Sequence, residues 1–157
     1  MRPILIFSFL IFSLFSSFGQ ESIIKDFAES RRDVKYCLYP STLRMINIQK
    51  DPSFYELVND IEKLLIYKLD SATTTSKEYL DWTNQYAKNG FEEYISINGV
   101  MNLMVYGKEE EYVGFSGANG SVIAFYLRGN IGLQKIPELM QNFEAGNILS
   151  LLTDQLK

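Results

Sequence analysis

Two Asn-Gly pairs, Asn98-Gly99 and Asn119-Gly120, do most to restrict what this chain can fold into. Each sits between runs rich in apolar residues. A two-residue hairpin turn of the commonest type needs positive φ at both central positions, and Asn followed by Gly meets that need at least steric cost. The spacing predicts strands over 91–97, 100–107, 112–117 and 121–128, with one residue of slack at the second turn. Lys108-Glu109-Glu110-Glu111 forms the middle connection. Four strands joined this way make an antiparallel meander.

The segment before the meander alternates between helix and strand. Ile23, Ile24, Phe27 and Ala28 share one helical face over 21–32. Val34 to Tyr39 reads as a strand ended by Pro40, with Ser41 as cap of a short helix through Leu43, Met45 and Ile46. Asp51-Pro52 is a second helix start, followed by a stripe of Phe54, Leu57, Val58 and Ile61. Leu64 to Leu69 is a second strand. Thr75-x-x-Glu78 has the form of a capping box, and the helix it opens runs past Trp82 and Tyr86 to Asn89-Gly90. After the meander, Leu133, Ile136, Leu139, Met140 and Phe143 mark a C-terminal helix with Pro137 in its first turn, and Ile148 to Leu156 a last short one. The expected fold class is α+β. It is a mixed sheet with a C-terminal four-stranded antiparallel meander and helices mainly on one face. The helices between the early strands are read as crossovers placing parallel strands in that sheet.

The N-terminus, MRPILIFSFLIFSLFSSFGQ, does not look like part of this domain. Arg2 precedes an apolar run from Ile4 to Phe15, and small residues at Ser17 and Gly19 place a cut ahead of Gln20. That is the layout of a secretory signal peptide, and the run is short for a membrane span. Residues 1–19 are therefore expected to be a signal peptide and 20–157 one α+β domain. The protein is expected in the periplasm or outside the cell, and not in the membrane once the signal is cut. Lipidation needs a cysteine directly after the apolar run. The one cysteine, Cys37, lies far beyond it, in a strand, where it is expected to be a small buried hydrophobe rather than an intermolecular pair. Cleavage leaves 138 residues with all ten tyrosines, and the loss of Arg2 takes the net charge to −5.

Composition excludes several chemistries. With no histidine and one cysteine, the chain cannot build a Ser-His-Asp or Cys-His nucleophile, a Cys/His zinc site or an internal disulfide. Its acidic balance carries no footprint for nucleic acid. Gly114, Gly117 and Gly120 lie in a strand-turn-strand setting, not at a helix start, so close packing explains them better than a phosphate loop. Glu109 to Glu111 reads as a solvated hairpin tip rather than a calcium loop. Adjacent Glu92 and Glu93 point to opposite faces of a strand and cannot converge on their own. No catalytic residue, metal ligand or cofactor is expected.

Seven tyrosines fall on predicted strands. Tyrosine presents an apolar face and a polar tip, which suits binding surfaces, although strands favour aromatic residues in any case. Tyr126 and Arg128 align with Val122 and Ala124; Ile123, Phe125 and Leu127 face the other way. Both faces of the meander are thus rather apolar. Either both are covered, or one carries an interaction patch, for which Tyr94, Tyr106, Tyr126 and Arg128 are the candidates.

The segments YCLYPSTLRMI, LLIYKLD and YVGFSGANGSVIAFYLRGNIGLQKIPELM resemble the family called domain of unknown function 4252, over residues 21–145. The resemblance is most specific from Tyr112 to Met140 and consists of apolar and turn positions. It implies a small envelope protein of Bacteroidota-type bacteria, some of whose members are lipoproteins, and an association with envelope-stress signalling. It implies no functional residue. The expected function is an exported, non-enzymatic module that binds a protein or an envelope component. The alternatives are a regulatory partner in envelope-stress signalling and a carboxylate-dependent hydrolase acting on glycans.

Overall fold

The computed structural model describes residues 18–29, 32–47, 50, 52–69, 76–98, 102–118 and 121–144. It is an α+β fold with a six-stranded sheet. In chain order the elements are α1 (Phe18–Glu29), β1 (Arg32–Leu38), α2 (Pro40–Ile46), α3 (Pro52–Val58), β2 (Ile61–Leu69), α4 (Ser76–Lys88), β3 (Glu92–Ile97), β4 (Asn102–Lys108), β5 (Glu111–Ala118), β6 (Ser121–Gly129) and α5 (Lys135–Glu144).

The meander is present, with its four strands where the Asn-Gly spacing puts them. Gly99, Asn119 and Gly120 lie outside the described residues, as do residues 1–17, Asp51, Thr75 and the expected helix over 148–156. Gly90 takes the positive φ expected at the stop of α4.

Strand order is β1-β2-β6-β5-β4-β3, and every neighbouring pair is antiparallel. The sheet is therefore not mixed, and the expected parallel neighbours do not form. Helices α2 and α3 are seven residues each and pack on one another. At about 1.5 Å rise per residue neither is long enough to carry the chain along a whole strand. Out and back, they return it to the end it left, so Leu38 pairs with Leu64 in a reversed strand. Strands β2 and β3 do run the same way across α4, but three strands separate them. Local details also differ. Pro40 opens α2 instead of ending β1, with extended Tyr39 as its N-cap and no side-chain cap bond from it. Proline suits that first position because its missing N–H has no helical partner. Ile61 belongs to β2, not to the stripe of α3.

Helices cover both faces of the sheet, which corrects the expectation of one. On the first face, Leu64, Ile66, Leu103, Val105, Ile123, Phe125 and Leu127 pack against α2, α3 and α5 through Leu43, Leu57, Ile136, Leu139 and Phe143. On the second, Leu65, Tyr67, Val113, Phe115, Ala124 and Tyr126 pack against α1 and α4 through Ile24, Ala28, Trp82 and Tyr86. Period-two alternation makes this possible: β2 and β6 are apolar on both sides, as doubly covered strands are. Gly114 sits where a Cβ would overlap the Met104 carbonyl and the Phe125 ring, so close strand packing accounts for it.

Candidate functional site

The four tyrosine and arginine positions do not form one surface. Tyr126 is 2% exposed and Tyr106 9%, both under α1 and α4. The Tyr106 hydroxyl donates to Glu93 Oε2 at 2.9 Å, and the Tyr126 hydroxyl to Glu111 Oε1 at 3.0 Å. Burial is the largest cause raising both phenols above the ordinary tyrosine value, and the neighbouring carboxylates raise them further. These two are core residues with satisfied polar tips. Composition hid this: the docking of α1 and α4 on these strands depends on contacts far apart in sequence.

Around them the second face holds an aromatic cluster. Trp82 lies 4.2 Å from Phe115 and 4.5 Å from Tyr86, centroid to centroid, and Phe27 and Tyr106 border it. The Trp82 indole nitrogen is buried without a hydrogen-bond partner among the described residues. Burial pushes the Tyr86 phenol far up as well.

Arg128 is exposed, and its Nε donates to Glu62 Oε2 at 2.8 Å. Both side chains are more than half exposed, so the pair adds little to stability. Tyr94 is the one candidate tyrosine left at the surface, 38% exposed on β3. The register slips by a residue between Glu93 and Ile95, which turns the Tyr94 ring onto the first face. There it lies over Gly107, where a Cβ would collide with it, and edge-on to Tyr112.

Strand β3 is an edge of the sheet, and five of its six residues are exposed. Ile97, missed in the sequence reading, is 39% exposed two strand positions beyond the half-buried Ile95. Glu92 stands at the start of the strand, opposite Gly107. The exposed Glu109 and Glu110 occupy the turn after β4, as expected for a solvated tip, but Glu111, expected there too, is the half-buried first residue of β5. An edge strand that carries Tyr94 and Ile97, with Glu92 and Glu93 at its start, is the feature that sequence analysis could have found: β3 alone in the meander has charged residues at two adjacent positions.

Cys37 is exposed, contrary to the buried position expected of it. It lies on β1, the other edge strand, opposite Leu65. Beside it the Tyr39 phenol is raised above its ordinary value, first by its hydrogen bond with Cys37. Two further carboxylates hold cations: Glu21 meets Lys63 at 2.6 Å and Glu29 meets Lys35 at 3.5 Å.

Set against protein-family models, curated proteins and solved structures, the chain matches none of them. No helix among the described residues is long and apolar enough to cross a membrane.

Proposed function

We propose that this is an exported, non-enzymatic binding module that takes a protein partner along β3. The observation that carries this reading is the edge strand itself: exposed almost throughout, with Tyr94 and Ile97 displayed on one face and Glu92 and Glu93 at its start. An edge strand offers a row of main-chain donors and acceptors to an incoming extended segment, and side chains choose which segment. The chemistry selects a partner strand with Lys or Arg near Glu92 and apolar residues near Tyr94 and Ile97. The slip at Tyr94 interrupts the ladder and confines regular pairing to short stretches on either side of it. The signal-peptide layout of residues 1–19 supports export. The resemblance to the domain of unknown function 4252 supports an envelope location.

The test is a photo-crosslinking residue placed at Ile97 in the protein as cells export it, with Ala87 on α4 as control position. A discrete protein adduct at Ile97 that is absent at Ala87 and lost in Tyr94→Ala is expected. The Trp82 emission of the variant reports whether its fold is intact. Equal labelling at both positions, or adducts indifferent to Tyr94→Ala, would overturn the reading.

A further inference from the structure

The cut expected ahead of Gln20 falls inside α1, which begins at Phe18. It removes two helical residues and makes Gln20 the first residue of a helix already fixed on the sheet. Ile24 and Ala28 are fully buried there, and Glu21 is paired with Lys63 of β2 at 2.6 Å. The new terminus is therefore a helix start held in place rather than a loose tail.

Two physical consequences follow for a free α-ammonium at that position. It would lie at the positive end of the helix dipole, where cations are disfavoured. It would also sit one residue from Glu21, in competition with the Lys63 ammonium for the same carboxylate. An N-terminal glutamine has a chemical way to shed the charge. Its α-amine, once deprotonated, attacks Cδ of its own side-chain amide. The N–Cδ bond forms, the Cδ–Nε2 bond breaks, and Nε2 leaves as ammonia carrying a proton from the attacking amine. No oxidant or co-reactant is needed. The product is a neutral five-membered lactam built, like the ring of proline, on N and Cα. The N–H of the first residue of a helix has no helical partner, so closing the ring on that nitrogen costs the helix no hydrogen bond.

We propose that Gln20 is a modification site: cleavage exposes it and it closes to pyroglutamate, giving a mature protein whose first helix starts with a neutral, proline-like residue. This rests on the signal-peptide reading of residues 1–19. What the structure adds is a helical backbone at Gln20, where a neutral terminus is favoured over a charged one.

Intact mass of the protein taken fresh from the cells that export it tests both statements separately. The expected species is residues 20–157 lighter by one ammonia, about 17 Da, closed to N-terminal sequencing and opened by a pyroglutamyl peptidase. A mass for 20–157 with an open glutamine overturns the modification and leaves the cut standing. A cut at another residue overturns the modification and the position of the cut, and leaves cleavage itself standing. A mass that retains residues 1–19 overturns both. Gln20→Asn, one methylene shorter, cannot close the five-membered ring and is expected to keep an open terminus. A blocked terminus in that variant would mean some other modification and would overturn the proposal.

Discussion

Tyrosine shows at single-residue scale how far composition can be read. Ten tyrosines in an acidic chain suggest a binding surface. The structure places most of the strand tyrosines in its core instead, and gives three of the buried ones a hydrogen-bond acceptor. Tyr106 and Tyr126 donate to Glu93 and Glu111, and Tyr112 donates to the Ile131 carbonyl at 3.3 Å. A buried phenol resists ionisation. Tyr86, Tyr106, Tyr112 and Tyr126 are all raised above the ordinary value of 10.0, first by burial in each case. The unfolded chain ionises these phenols near pH 10, while the folded protein keeps them neutral to higher pH. Their contribution is therefore intact below about pH 10 and is lost as pH rises above it, because the unfolded state is then the one that releases protons. Thermal midpoints measured from pH 8 to pH 12 should hold level and then fall steeply. Tyr126→Phe, which has no phenol to ionise at that position, should fall less steeply while starting lower, by about 1 kcal/mol for the lost hydrogen bond. A midpoint that stays flat through pH 11 would contradict the burial of these groups.

Among the elements, α1 has the most dependent position. It is the first helix of the domain, and it covers the second face of β2 and β6 with few side chains. Ile24→Ala should cost about 2–4 kcal/mol, as for other large-to-small changes in a core. Urea titration followed by Trp82 emission would measure it, since the single tryptophan packs on the same face. A loss below about 0.5 kcal/mol would show that α1 is not seated on the sheet. Elements were legible in the sequence wherever the signal was local. The Asn-Gly spacing located the meander, alternation along 122–128 assigned its faces, and Gly90 marked the stop of α4. Pairing between distant elements was not legible. Nothing local says that two short helices between β1 and β2 fold back on each other rather than span the sheet. The candidate site failed for the same reason. Whether Tyr126 is a surface or a core residue depends on a helix a hundred residues earlier in the chain. Edge strand β3, by contrast, is local enough to read: Glu92 and Glu93 side by side put a carboxylate on each face at the start of the strand.

At the scale of the whole molecule, the sheet is two pieces joined by one strand. β1 and β2 form a pair, and β3, β4 and β5 form a three-stranded meander. Among the described residues the two are bridged by β6, which pairs with β2 on one side and β5 on the other. A chain ending at Ala118 keeps five of six strands but loses this bridge, together with α5. It should unfold without a cooperative transition and show solvent-like Trp82 emission in plain buffer. A sharp transition in that shortened chain would mean that the helices alone hold the two pieces together.

The position of β6 also sets a timetable. Among the described residues it is the last strand made and the one that closes the structure, so a chain synthesised from its N-terminus stays unfinished until residue 129 has emerged. Until then β2 and β5 each present an apolar edge without its neighbour, the kind of edge that recruits strands from other molecules. For such a chain, the hazard of aggregation is concentrated before completion. Whatever attends the growing chain must shield two separate edges and release both when β6 arrives.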